Sequence, residues 1–255
     1  MENKQLVGEV FTTKSWGDLK IIDYNGNRKV RVKFVQTGYE VVASLLNIRK
    51  GSVRDRLLPS VYGVGIIGAE PIVDKDGRKL KEYELWCSML QLVYDSKKHI
   101  ELPTYTNCSV SENFKYFPYF KEWCNNQIGA NALDDKGNPF ALDKDILIKG
   151  NKQYGEDVCV FIPRELNNLV TNCSKSRGDS VIGVCYSKAH KKYLSKVRKY
   201  GKLTHLGHFD TEIEAFIVYK EAKESHIKTL ANKWKDQIDP RVYEVLMNWE
   251  IEITD

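Results

Sequence analysis

The sequence predicts an α+β fold assembled from small modules, and three observations carry that expectation. Short β-branched and aromatic runs crowd the N-terminal part, aromatic residues recur at helical spacing in the middle, and three strand-like runs precede a capped helix near the C-terminus. With 255 residues and 42% hydrophobic side chains, the chain can bury more than one core.

The first expected module, residues 1–70, is small, basic and β-barrel-like. Its strands are drawn at 7–11, 19–24, 30–35 and 39–43, and Asn25-Gly26 marks a hairpin turn. Alternation puts Val30, Val32 and Phe34 on one face and Lys29, Arg31 and Lys33 on the other. The basic face reads either as an ordinary solvated surface or, with Arg49, Lys50, Arg54 and Arg56, as a phosphate-contacting one. The glycine-bearing run 61–68 lacks the lysine-serine/threonine pair of a nucleotide loop, so it is expected to be a linker or edge strand.

The middle module spans 79–172. Tyr83, Trp86, Met89 and Leu90 form a helical stripe, and Phe114, Phe117, Phe120 and Trp123 suggest a second helix packed against it. A strand is expected at 158–162, with Pro163 starting a helix. The third module, 175–255, has strands at 181–186, 192–198 and 202–209. Thr211 and Glu214 then compose a capping box, Ala215, Phe216, Tyr219 and Ala222 form the face of the helix that covers the sheet, and a last helix spans about 240–250.

Charge narrows the function classes. The formal net charge of +5 is too mild to be diagnostic, but residues 175–209 hold 9 basic residues and one acid, Asp179. The N-terminus lacks the basic start and apolar run of a secretory signal, and no stretch has the length of a membrane span, so an unexported, cytoplasmic chain without membrane partners is expected. The six cysteines are scattered without a Cys-x-x-Cys pair, which argues for reduced, mostly buried thiols rather than a zinc ribbon or disulfide framework.

A two- or three-stranded basic ribbon fits the major groove of DNA, where lysine and arginine reach phosphates or guanine acceptors. Lys192, Lys196 and Arg198 lie on or beside the C-terminal sheet, with Lys188 and Lys191 in its first turn and Lys199 and Lys202 in its second. Ile182-Gly183-Val184, the run 193–198, and Leu206-Gly207-His208-Phe209-Asp210-Thr211 with Glu214, Ala215 and Tyr219 resemble the AP2/ERF DNA-binding domain. The resemblance implies a sheet inserted in the major groove, with Lys196, Arg198, His205 and Tyr219 at DNA-contacting positions. The plant pattern has arginines where this chain has Ile182, Cys185 and Leu203, and a tryptophan where it has His205. A phosphate-dominated or altered preference follows.

The middle module resembles the degenerate HNH-like part of phage endonucleases. The likeness rests on Trp86 and Met89, on Trp123, and on Leu142-Asp143-Lys144-Asp145 followed by Asn151, Tyr154 and Cys159. It implies Asp143 and Asp145 as magnesium ligands and Asn151 as an orienting residue in metal-dependent phosphodiester cleavage. Lys144 stands where an active motif carries histidine, and lysine is a poor base unless strongly desolvated. The module's histidine, His99, is remote in sequence. The N-terminal residues also resemble a module that opens such phage proteins. The expected function is therefore that of a phage protein of the homing-endonuclease type that binds double-stranded DNA in the bacterial host cytoplasm. Cleavage with Mg2+, a catalytically inactive DNA-binding regulator, and an inhibitor acting on a host protein partner are the three forms left open.

Overall fold

A computed structural model describes residues 6–170 and 181–255, and Cys173 and the strongly charged 175–180 segment lie outside the described residues. The architecture is α+β, 33% helix and 24% strand, with several small sheets and, among the described residues, no closed barrel. The chain divides into two compact units, Met1–Cys124 with Lys152–Glu156, and Asn125–Asn151 with Asp157–Asp255. The expected middle module, 79–172, contributes to both.

In the first unit, β1 (Val10–Thr12), β2 (Asp18–Tyr24), β3 (Val30–Phe34) and β4 (Glu40–Ala43) form an antiparallel meander in sequence order. The period-2 alternation is realised: Val30, Val32 and Phe34 are buried and join Leu19, Ile21, Leu45 and Ile48 in one core, while Lys29, Arg31 and Lys33 face out. In place of the expected barrel the sheet stays open, with β1 and β4 as its two edges. A short helix, α1 (Leu45–Arg49), follows, capped by the Ser44 side chain, which accepts from the Asn47 amide.

The same unit holds α2 (Lys81–Tyr94), α3 (Ser96–Glu101) and α4 (Phe117–Asn125), with β5 (Ser109–Val110) parallel to β7 (Gln153–Tyr154). Trp86 is fully buried and donates its indole N–H to the Phe114 carbonyl at 2.7 Å. Tyr83, Phe117, Phe120 and Trp123 complete an aromatic cluster, with Phe114 edge-on to Phe120 at 5.0 Å. Phe114 itself lies in a 3-10 turn (Asn113–Lys115) and not in the helix expected through 114–123. Pro118 has no amide hydrogen and must stand in a first turn, so α4 cannot extend back to Phe114. Of the two readings of the 61–68 run, linker or edge strand, the structure is nearer the second, since Ile66 bridges in parallel to Tyr116. A methyl on Gly65 would come within 2.5 Å of Leu90 and 2.8 Å of Trp86, so glycine allows this segment to lie directly on α2.

In the second unit, β6 (Ala141–Asp143) pairs antiparallel with β8 (Val160–Ile162), followed by α5 (Arg164–Val170). A three-stranded antiparallel sheet comes next, β9 (Val184–Ser187), β10 (Lys192–Lys199) and β11 (Lys202–Phe209), with β10 central. The long helix α6 (Glu212–Trp234) starts at the expected capping box, in which Thr211 and Glu214 exchange side-chain and backbone bonds. Its first half covers the sheet through Ala215, Phe216 and Tyr219. Its last turn reaches β6 and α5, where Trp234 sits edge-on to Phe140 at 5.6 Å and donates to Glu165. Finally α7 (Pro240–Met247) buries Val242 and Leu246. No helix among the described residues is long and apolar enough to cross a membrane. The described cysteines are free thiols, but only Cys124 and Cys159 are buried, while Cys87, Cys108 and Cys185 are half-buried, so burial is less general than composition suggested.

Candidate nucleic-acid interface

Two sets of expected site residues lie in the second unit, and the structure treats them differently. The sheet has a covered face and an open one. On β10, Ser195 and Val197 are buried, and on β9 Val184 is buried, which assigns that side to α6. Side chains alternate along a strand, so Lys192, Leu194, Lys196 and Arg198 belong to the open side.

Pairing then extends that face across strands. Lys196 stands opposite His205, Arg198 opposite Leu203, and Leu194 opposite His208 and Cys185. Leu206 is the extra residue of a bulge on β11, opposite the Ser195–Lys196 step, so the alternation is reset on β11 and continues unbroken on β10, and Gly207 takes φ +146 beside it. The turn joining β10 and β11 is Tyr200-Gly201, with φ +50 and +78 as a two-residue hairpin loop of the I′ kind requires. It places Lys199 directly opposite Lys202, a like-charge pair that costs stability unless an anion or solvent answers it.

The charges on this face and at its two turns have few internal partners, Lys202 lying with Lys199 on the Val197 side of the second turn. Lys192 pairs with Asp210 at 3.1 Å, and Arg198 donates to the Gly201 carbonyl at 3.0 Å. Lys188, Lys191, Lys196 and Lys202 make no ion pair among the described residues. Lys188, Lys191, Arg198, Lys202 and His205 are exposed, and Lys192 and Lys196 are half-buried, as expected of stems lying on a sheet with their ammonium ends in water.

One expected contact is overturned. Tyr219 is only 6% exposed and lies under the sheet against Gly183, so it serves the core and does not face a ligand. Sequence reasoning also missed a histidine pair: the His190 and His208 rings stand 4.3 Å apart beside Lys191, and Ser187 bonds His190 at 3.0 Å. Only the strand register, which sets His208 across from Leu194, could have revealed it.

The second set, Asp143, Lys144, Asp145 and Asn151, is held as a folded turn. Asp143 Oδ1 accepts the amides of Asp145 and Ile146 at 2.9 and 2.7 Å, and the Asn151 side chain donates to the Lys144 carbonyl at 2.6 Å. Lys144 is buried, and its ammonium lies 3.2 Å from Asp145. Burial, then the neighbouring Asp145 charge, raises the Asp143 pKa above the ordinary carboxylate value, against the pull of the two amides. These residues do not fit the magnesium site that the HNH likeness implies. Asp143 Oδ1 is engaged with backbone amides, Asp145 Oδ2 with an ammonium, and no third His, Cys, Asp or Glu converges among the described residues.

This arrangement sets a prediction. An acid whose folded pKa is raised lends stability below the ordinary carboxylate range and loses it as pH rises through the raised value. Asp143→Asn keeps the Oδ1 acceptor without the buried charge. It is expected to be at least as stable as the wild type at neutral pH, with the advantage shrinking as the medium is acidified. Asp143→Ala strands two amides and should cost about 1–3 kcal/mol. Urea unfolding across a pH series checks both, and a neutral-pH loss in Asp143→Asn would contradict the arrangement.

A scan of protein-family models and searches of curated proteins and of solved structures found no match to this chain.

Proposed function

We propose that the chain binds double-stranded DNA through the open face of the β9–β11 sheet and does not cut it. The observation that carries this reading is the segregation of charge on that sheet: one side is sealed by α6, while the other side and the β9–β10 turn present Lys188, Lys191, Lys196 and Arg198, with Lys202 at the far turn on the side of its partner Lys199. Phosphates are the ligand such a set answers, and a three-stranded ribbon backed by a helix suits a groove. The AP2/ERF likeness of residues 175–255 supports the same docking surface. On this reading, the HNH likeness of residues 79–172 is one of sequence, and Asp143, Asp145 and Asn151 serve the fold of a turn. The protein is then a phage-type regulator that acts on DNA in the host cytoplasm.

Two measurements test it. Duplex affinity should fall log-linearly with salt, with a slope near −0.9 for each phosphate neutralised, so that several contacts produce a slope of about −4 or steeper. Supercoiled plasmid should stay intact with magnesium or manganese. A salt-independent affinity would remove the DNA reading, whereas nicking abolished by Asp143→Asn would restore the catalytic one.

A further inference from the structure

A second feature lies in the first unit and stands apart from the DNA face. A cavity of about 400 Å³ runs along β4, lined by Tyr39, Val41 and Val42 on one side and by Ile67, Ile72 and Tyr83 on the other. Arg54 and Arg56 stand at its wall. Strand β4 is an edge: it pairs with β3, and among the described residues no strand lies on its other side. The register shows which backbone groups are free. Phe34 donates to the Tyr39 carbonyl at 2.8 Å, so in the alternating antiparallel ladder Val41 and Ala43 bond toward β3, while Glu40 and Val42 turn their N–H and C=O outward. The charges are also unanswered. Neither Arg54 nor Arg56 forms an ion pair among the described residues, and Arg56, which donates to the Glu70 carbonyl, keeps a buried Nε without a partner. Arg49 and Lys50 are exposed close by in sequence.

We infer that this groove binds an acidic, aliphatic segment of another protein, added in extended form to the β4 edge. The free edge supplies main-chain hydrogen bonds, the valine, isoleucine and tyrosine walls take alternate apolar side chains, and the two guanidiniums take a carboxylate between them. A nucleic acid answers only the last of these, since its backbone offers no alternating N–H and C=O groups and the walls are apolar. The unpaired strand edge would otherwise be a site of non-specific association.

The test is a selection of a random short-peptide library on the full chain, with recovered peptides synthesised and measured by fluorescence anisotropy. The expected peptides combine Asp or Glu with β-branched residues. Their affinity should fall by about ten-fold or more with Arg54→Glu. Val42→Pro removes an outward N–H that β3 does not use, so it should abolish binding while circular dichroism stays native. In case that variant fails to fold, peptides N-methylated at every second residue are measured on the wild type: one register should lose binding and the other should keep it. The inference is overturned if no peptide is enriched, if the enriched peptides are basic, or if methylation in both registers is harmless. It is also overturned if Arg54→Glu weakens a short DNA duplex and no peptide, which would make the groove a phosphate surface. None of these outcomes bears on the β9–β11 face, so the two readings fail separately.

Discussion

Lys196→Ala with Arg198→Ala should weaken binding to a DNA duplex by about 2–4 kcal/mol, roughly thirty- to thousand-fold, and make the salt slope shallower by about 2. The two residues alternate with buried Ser195 and Val197, which places both on the open face of the central strand β10. Neither can turn away without breaking the pairing of Lys196 with His205 and of Arg198 with Leu203. A loss of net charge alone would weaken any cationic chain on DNA, so the control removes equal charge elsewhere. Lys228→Ala with Lys235→Ala deletes two exposed cations on and just after α6, the helix that covers the opposite face. That control should cost far less, because screening confines phosphate attraction to within about a Debye length of 8–10 Å. If the two double variants behave alike, binding is a property of total charge and the sheet is not the reader.

How legible this was in the sequence can be stated residue by residue. Val30, Val32 and Phe34 announce their face by alternation alone, because one side of an antiparallel sheet is buried and the other wet. The Thr211-Glu214 box announces α6 in the same way, as its two reciprocal bonds are local. What is not local was not readable. Closure of the N-terminal strands into a barrel depends on whether the β1 and β4 edges meet, and they do not. The AP2/ERF likeness places Tyr219 at DNA, but its burial follows from how Gly183 lets β9 approach α6. Asp143 and Asp145 have the composition of a metal site, and only three-dimensional structure shows Asp143 Oδ1 engaged by two amides and Asp145 Oδ2 by Lys144. The start of α4 is the opposite case, since Pro118 was there to be read and the three-residue recurrence of aromatics obscured it.

Gly183→Ala should destabilise the second unit by about 2–5 kcal/mol, through two costs that can be separated. Gly183 has φ +75, a conformation that charges an alanine about 1–2 kcal/mol. Its new methyl would also overlap the ring of Tyr219, which is buried and held by α6, and overpacking of this kind costs about 1–3 kcal/mol. Gly201→Ala isolates the first cost, since φ is +78 there but the space around it is open. The difference between the two variants in urea unfolding measures the overlap, and Tyr219→Leu in the Gly183→Ala background should recover part of it. A functional consequence follows from one hydrogen bond. The Lys196 amide donates to the Gly183 carbonyl at 2.9 Å, so a shift of Gly183 is transmitted to the strand that carries Lys196 and Arg198. Gly183→Ala should therefore weaken duplex binding even when the folded fraction is accounted for, whereas Gly201→Ala should follow its stability alone. Equal effects of the two on DNA would mean that β9 does not set the geometry of the open face.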